Sequence, residues 1–300
     1  MKNNYFNIVA RPSWKKPEKK FNINLSRNVH FDQVLNNKVI NILNKRNHSL
    51  HYADPYNVYK SISKYYKISL SKLTIGFGAT ELLYRITKIL NVKNFYIIEP
   101  SFQMFEVYCR INNKKFKKIK NKDIFKKQRK NSAIYLVNPN GLDGSAYKID
   151  KKILKYYKYV IIDEVYADFF SKFSLLKFNE NNLIIVKSLS KSLGLAGLRV
   201  GFCKASIKIT KKLQSVRLSQ ITSSYAEILV PKIISQTKFT VSRMNEAKRY
   251  LEKKYECKHS FSNYILFKKK NKLTKKFGSK KVLGFYRMAL TNLKSIKINE

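Results

Sequence analysis

The chain has 300 residues, 44% of them hydrophobic, enough to bury one large core or two smaller ones, which excludes wholesale disorder. No apolar run reaches the ~20 residues that span a bilayer, and the N-terminus, Met1-Lys-Asn-Asn-Tyr-Phe6, lacks the apolar core of a secretory signal, so no membrane partner is expected. The net charge of +44 raises nucleic-acid binding, but lysine, asparagine and isoleucine are enriched along the whole length, which reads as compositional bias rather than a binding patch.

In chain order, residues 1–30 show little periodicity and read as an arm anchored by Trp14. A helix is expected over 31–46, a turn at His51-Tyr-Ala-Asp-Pro55 and a helix over 58–66. The stretch Leu73-Thr-Ile-Gly-Phe-Gly-Ala-Thr-Glu-Leu-Leu83 reads as a strand ending at Gly76-Phe-Gly78 and a helix from Ala79 to about residue 90. A Gly-rich turn that opens a helix is an anion site, because free N–H groups and the helix dipole face the ligand. A strand over 95–98 then leads into Glu99-Pro-Ser-Phe-Gln-Met-Phe105, a helix over 103–112, and a basic, poorly patterned run, 114–130. Strand 133–137 ends in Asn138-Pro-Asn-Gly141. After a helix over 151–157, strand 159–162 ends in Asp163-Glu-Val-Tyr166. Strand 183–186 runs into Ser188-Leu-Ser-Lys191, with Gly194, Gly197 and Arg199 beyond it, and 200–203 is another strand. This β-α-β alternation of buried, β-branched strands predicts a mostly parallel α/β sheet, with its polar residues gathered at strand ends. Helices over 211–220, 225–236 and 239–254 and strands over 264–267 and 285–289 predict a smaller α+β domain. The expected division is a large domain over 45–205, with 1–44 and 206–300 forming the arm and the small domain. Cys109, Cys203 and Cys257 have no metal-binding spacing and suit free thiols in a reducing cytoplasm.

The segment 188–199 gathers two hydroxyls, an amine and a guanidinium within twelve residues. Hydroxyls and a guanidinium suit a phosphate, and an amine suits an aldehyde; pyridoxal phosphate carries both. Lys191 would form the imine, its pKa lowered from ~10.4 by burial and positive neighbours such as Arg199. Ser188, Ser190, Arg199 and the helix start at Gly78-Ala79-Thr80 would hold the phosphate. A buried carboxylate, Asp163, would keep the ring nitrogen protonated, Tyr166 would bond the ring oxygen, and Phe102 or Phe105 would stack on the ring. Taken singly these signals are weak: an Asp-Glu pair is more often on the surface, and the two phenylalanines more often belong to a core. Four strand ends carrying the needed groups in a workable order are rare by chance.

The chain resembles fold-type I pyridoxal-phosphate enzymes, specifically class I/II aminotransferases of the histidinol-phosphate aminotransferase group. Ser188-Leu-Ser-Lys-Ser-Leu-Gly-Leu-Ala-Gly-Leu-Arg199 resembles that group's Schiff-base motif almost throughout. Asp163-Glu-Val-Tyr166, Gly78-Ala-Thr-Glu-Leu82, Glu99-Pro-Ser-Phe-Gln-Met-Phe105 and Tyr52-Ala-Asp-Pro55 match further motifs in order, over roughly residues 20–290. The resemblance implies a seven-stranded, mostly parallel large domain, a shortened small domain and a transaminase acting on amino acids and 2-oxo acids. It implies Lys191 as imine lysine and proton shuttle, Asp163 on the ring nitrogen and Tyr166 on the ring oxygen. It places Ser188, Ser190, Arg199, Ala79 and Thr80 on the phosphate, Phe105 on the ring face, and Arg287 on the substrate carboxylate. Tyr52 would reach the phosphate of a neighbouring subunit in a homodimer. The sequence departs from the family at Gly141, where the family has the asparagine that contacts the ring oxygen; Asn140 is the substitute on hand. Two alternatives stand beside a transaminase: a decarboxylase of a phosphorylated amino acid, and a degenerate, non-catalytic homologue that binds nucleic acid through its basic surface.

Overall fold

The computed structural model describes residues 22–45, 52–126 and 129–299; Trp14 and His51 lie outside the described residues. Helix α1 (Gln33–Asn44) starts at Asp32, whose carboxylate accepts from the Val34 and Leu35 amides as an N-cap, and α2 (Tyr56–Tyr66) follows. Then come β1 (Leu73–Phe77), α3 (Ala79–Ile89), β2 (Phe95–Ile98), α4 (Gln103–Ile111), β3 (Phe116–Ile119), β4 (Arg129–Val137), α5 (Ile153–Tyr156), β5 (Tyr157–Asp163), β6 (Leu183–Ser188), α6 (Leu189–Ser192) and β7 (Val200–Lys204). The seven strands form one sheet in the order β1-β7-β6-β5-β4-β2-β3. β7 runs antiparallel to both β6 and β1, and the remaining pairings are parallel. The sheet is thus the mostly parallel one expected.

Burial explains the pairing. β6 is buried at every position and β5 over its last four, as parallel strands must be when helices cover both faces. Tyr135, Ile161, Ile184 and Val186 pack beneath α3 and α4, on a core that includes Leu82, Leu83, Ile86 and Phe105. Ile134, Leu136, Val160, Ile162 and Ile185 alternate onto the opposite face, where they meet Ile153 and Leu175. β3 was hidden in the basic run, because it is an edge strand whose Lys117 and Lys118 are exposed, a pattern that guards an edge against further pairing.

The register sets up the site. Val137 lies opposite Asp163, Asp163 opposite Val186, Ser188 opposite Gly201, and Val200 opposite Phe77. The C-terminal ends of β1, β4, β5 and β6 therefore lie along one edge, beside the start of β7.

The rest of the chain forms α7 (Ile207–Ser215), α8 (Ser224–Ile233), α9 (Thr237–Lys254), β8 (Cys257–Lys258), β9 (Tyr264–Phe267), α10 (Lys272–Phe277), β10 (Lys280–Val282), β11 (Phe285–Ala289) and α11 (Leu293–Ile298). A second, antiparallel sheet has the order β10-β11-β9-β8. Packing does not follow the expected division at 205/206. Ile209 and Leu213 of α7 join the core under α3, and Leu35, Ala226, Leu229 and Val230 of α1 and α8 pack with α2 against Ile75 and Phe202. The core beneath the second sheet starts with Val241 and Met244 of α9 and takes in Leu25 from the arm. α7 also begins four residues earlier than expected, because its buried stripe is Ile209 and Leu213. Among the described residues, no helix is long and apolar enough to cross a membrane.

Candidate active site

Lys191 sits in α6, the single turn that follows β6. Ser188 starts that turn: its hydroxyl accepts from the Ser190 amide and donates to the Val200 carbonyl. The Lys191 ammonium donates to the backbone carbonyl of Asn28 at 2.6 Å and lies 5.7 Å from the centre of the Tyr166 ring. Tyr166 is buried, and burial pushes its phenol up; the hydroxyl accepts from the Asn28 carboxamide at 2.8 Å. Asp163, 3% exposed, ends β5 and accepts from the Tyr135 hydroxyl at 2.9 Å and the Val165 amide at 3.2 Å. Burial pushes its carboxyl up to about 6; those two hydrogen bonds and the Lys191 charge pull the other way. Glu164 is buried as well and accepts from the Ser174 hydroxyl and the Leu175 amide, so the Asp-Glu pair is interior, not a surface pair.

The anion cradle forms where β1 meets α3. Gly78 has φ +82°, a conformation that favours glycine, and a side chain there would also strike the Arg199 guanidinium, whose Nη2 lies 2.5 Å from where a Cβ would stand. Arg199 itself has φ +54° and donates to the Ala196 and Phe77 carbonyls. Its guanidinium thus lies against the N-terminus of α3, next to the half-buried Ala79 and Thr80. Ser190 is 7% exposed and its hydroxyl has no partner among the described residues. A buried hydroxyl without a partner costs stability, and a phosphate oxygen would satisfy it. The interior carboxylate, the amine, the orphaned hydroxyl and the Gly78–Arg199 cradle fit an aldehyde that carries a phosphate.

Three expectations change. Phe105 has no exposed surface; its ring is stacked on Tyr135 at 3.8 Å and meets Phe95 edge-on. It is a core residue that backs the donor to Asp163, and Phe102, 37% exposed, is the aromatic of that segment with a face to offer. Asn140 does not replace the missing asparagine, because its side chain donates to the Pro100 carbonyl and accepts from the Leu142 amide. Ser188 has its hydroxyl proton on Val200, which leaves Ser190 as the hydroxyl with a donor to give. At Gly141 a Cβ would stand 2.7 Å from the Tyr166 ring. Arg287 donates to the Gly141 carbonyl at 2.9 Å and lies over the Tyr264 ring, with its buried Nε lacking a partner among the described residues. Tyr52 is 83% exposed.

Sequence reading missed Asn28, Tyr135 and Asn263, whose carboxamide donates to the Asn28 carbonyl. Tyr135 lies inside an apolar strand run that gives no sign of a role. Asn28 has φ +59°, and the one available signal was that asparagine tolerates that conformation. Also unread was the buried ion pair of Lys187 and Asp168 at 3.1 Å, with Tyr66 donating to Asp168.

An amine, a buried carboxylate and an anion cradle thus gather at the carboxyl edge of a sheet covered on both faces, where such sheets bind ligands. The chain belongs to the class I and II aminotransferases: the family model described as "Aminotransferase class I and II" matches residues 22–258. A histidinol-phosphate aminotransferase of Thermococcus kodakarensis is 25% identical over 205 residues, 65% of this chain and 61% of that protein. One from Buchnera aphidicola subsp. Cinara cedri is 29% identical over 246 residues, 71% of this chain and 69% of that protein. Histidinol-phosphate aminotransferase 2 of Archaeoglobus fulgidus is 29% identical over 178 residues, 55% of this chain and 52% of that protein, so the chain spans between about half and 69% of the length of these relatives. In fold, the chain is similar to the Sinorhizobium meliloti histidinol-phosphate aminotransferase solved in complex with pyridoxal-5'-phosphate, with TM-score 0.73, 14% identity, and 93% and 89% of the two chains covered.

Proposed function

We propose that the protein is a pyridoxal-phosphate-dependent aminotransferase of the histidinol-phosphate aminotransferase type, moving an amino group between an amino acid or amino-phosphate donor and a 2-oxo acid. The observation that carries this is the meeting of Lys191, Tyr166 and Asp163 at one sheet edge, beside the Gly78–Arg199 cradle. Bound there, the cofactor supplies an aldehyde for the amine and a ring that withdraws electrons from the substrate's α-carbon. Ser190, Arg199 and the amides of Ala79 and Thr80 hold its phosphate. Asp163 holds a proton on the ring nitrogen, kept from water by its burial, with Tyr135 and Val165 fixing the carboxylate. Tyr166 would donate a hydrogen bond to the ring oxygen, and Phe102, the exposed aromatic of its segment, would be the one available to cover the ring. Lys191 Nζ would carry the proton between the substrate's α-carbon and the carbon that the cofactor's aldehyde supplies, in one direction with the donor and in the reverse with the acceptor. Arg287 pairs with the substrate carboxylate through the part of its guanidinium that Gly141 does not occupy.

We further read the protein as a cytoplasmic homodimer serving amino-acid biosynthesis, with Tyr52 reaching a neighbouring subunit's phosphate. Its 83% exposure and the free thiols Cys109 and Cys203 support this. Purified protein given pyridoxal phosphate is expected to turn yellow, and Lys191→Ala to lose the visible band. Mixing with an amino donor should then yield pyridoxamine phosphate. Release of carbon dioxide without that product would replace this reading with a decarboxylase, and a protein that takes up no cofactor would end it.

A further inference from the structure

The arm residues that precede α1 are clamped along the second sheet and its helices. Leu25 donates its amide to the Phe277 carbonyl and accepts from the Ala289 amide, and the Phe31 amide donates to Leu290. Asp32 accepts from Arg243, Thr240 and Asn292, an arrangement that holds its carboxyl below the ordinary value against the effect of burial. Between these anchors stands Asn28, 5% exposed and left-handed at φ +59°. It makes three contacts in different directions. Its carbonyl accepts from Lys191 at 2.6 Å and from Asn263 at 3.3 Å, and its carboxamide donates to Tyr166 at 2.8 Å.

The direction of the last bond matters. Because the Tyr166 oxygen already accepts a hydrogen bond from Asn28, the phenol's own O–H is left to donate elsewhere. We infer that Asn28 is a positioning residue: it ties the clamped arm to the Lys191 amine and the Tyr166 hydroxyl together, and leaves the phenol's proton for the ring oxygen of a bound cofactor. The inference rests on the cofactor reading above. Other groups facing the pair include Asp163 on β5, Tyr264 on β9 and Arg287 on β11 around Tyr166, with His30 and Asp163 near Lys191. None of them bonds both members of the pair among the hydrogen bonds described.

Asn28→Gly isolates the carboxamide. Glycine keeps the left-handed backbone and so the carbonyl that holds Lys191, and removes only the donor to Tyr166. Titration of the visible absorbance of the bound cofactor is the readout. Tyr166 bonding the ring oxygen favours the deprotonated chromophore, so Asn28→Gly should move the pH midpoint upward by about half a unit or more. Tyr166→Phe should move it the same way, and the double variant should shift no further than Tyr166→Phe alone. A coloured wild type whose midpoint is unchanged in Asn28→Gly overturns the positioning role and leaves the cofactor reading standing. So does a double variant whose shifts simply add, because Asn28 would then act by a route that bypasses Tyr166. A wild type that stays colourless overturns the cofactor reading, and the positioning role falls with it.

Discussion

At the scale of single residues, Asp163 carries the sharpest electrostatic consequence. Burial raises its carboxyl from an ordinary 3.8 to about 6, so without cofactor the folded chain holds the proton more tightly than the unfolded one. That contribution is fully present below pH 3.8 and is lost as pH rises through about 6. Asp163→Asn should therefore leave the cofactor-free protein more stable than wild type at neutral pH, by ~2–3 kcal/mol at most. Urea unfolding across the acid range should show the two proteins converging below about pH 4; identical curves at neutral pH would refute the burial argument. Gly141 makes the second case. The family's asparagine does not fit beside the Tyr166 ring as it stands, because a Cβ at this position would lie 2.7 Å from that ring. Gly141→Asn should destabilise by ~1–3 kcal/mol through overpacking, and should weaken cofactor uptake by displacing Tyr166. Restored or improved uptake would mean that the loop adapts more freely than its hydrogen bonds to Asn140 and Gly141 imply.

At the scale of elements, the β1–α3 junction decides whether phosphate is held. Gly78 combines a left-handed backbone with close contact to Arg199, and the α3 N-terminus adds free amides and the positive end of its dipole. Gly78→Ala should push the guanidinium away and strain the turn, lowering pyridoxal phosphate affinity tenfold or more, about 1.4 kcal/mol, as read by titration of the visible band. An unchanged affinity would place the phosphate elsewhere. The same scale shows why some elements were legible and others were not. β2, β9 and β11 were read within a residue of their ends, because apolar, β-branched or aromatic runs there are bounded by turn residues. β3 was missed because edge exposure replaces its apolar residues with lysine. α10 and α11 are six residues each, too short to show a helical period.

At the scale of the whole molecule, the site draws on segments far apart in the chain: the arm at Asn28, the large sheet at Asp163 and Lys191, and the second sheet at Arg287. Tyr52 is expected to complete it from another copy. Mixing Tyr52→Ala with Lys191→Ala protein, each impaired alone, should recover activity, because half of the mixed dimer's two sites would then be intact. No recovery in mixtures shown to exchange subunits would assign Tyr52 to its own chain or to no site at all. The sequence by itself determined the cofactor chemistry and the sheet. Lys191, Arg199, Asp163 and Gly78 lie in local patterns whose spacing follows from strand, turn and helix geometry, and such patterns survive without any knowledge of distant contacts. Tertiary structure alone decided which phenylalanine is core and which is exposed, that Asn140 is spent on Pro100 and Leu142, and that Asn28 meets Lys191. Those outcomes depend on side-chain packing and hydrogen bonds made in the folded chain, up to 163 positions apart for Asn28 and Lys191, for which a linear pattern carries no signal.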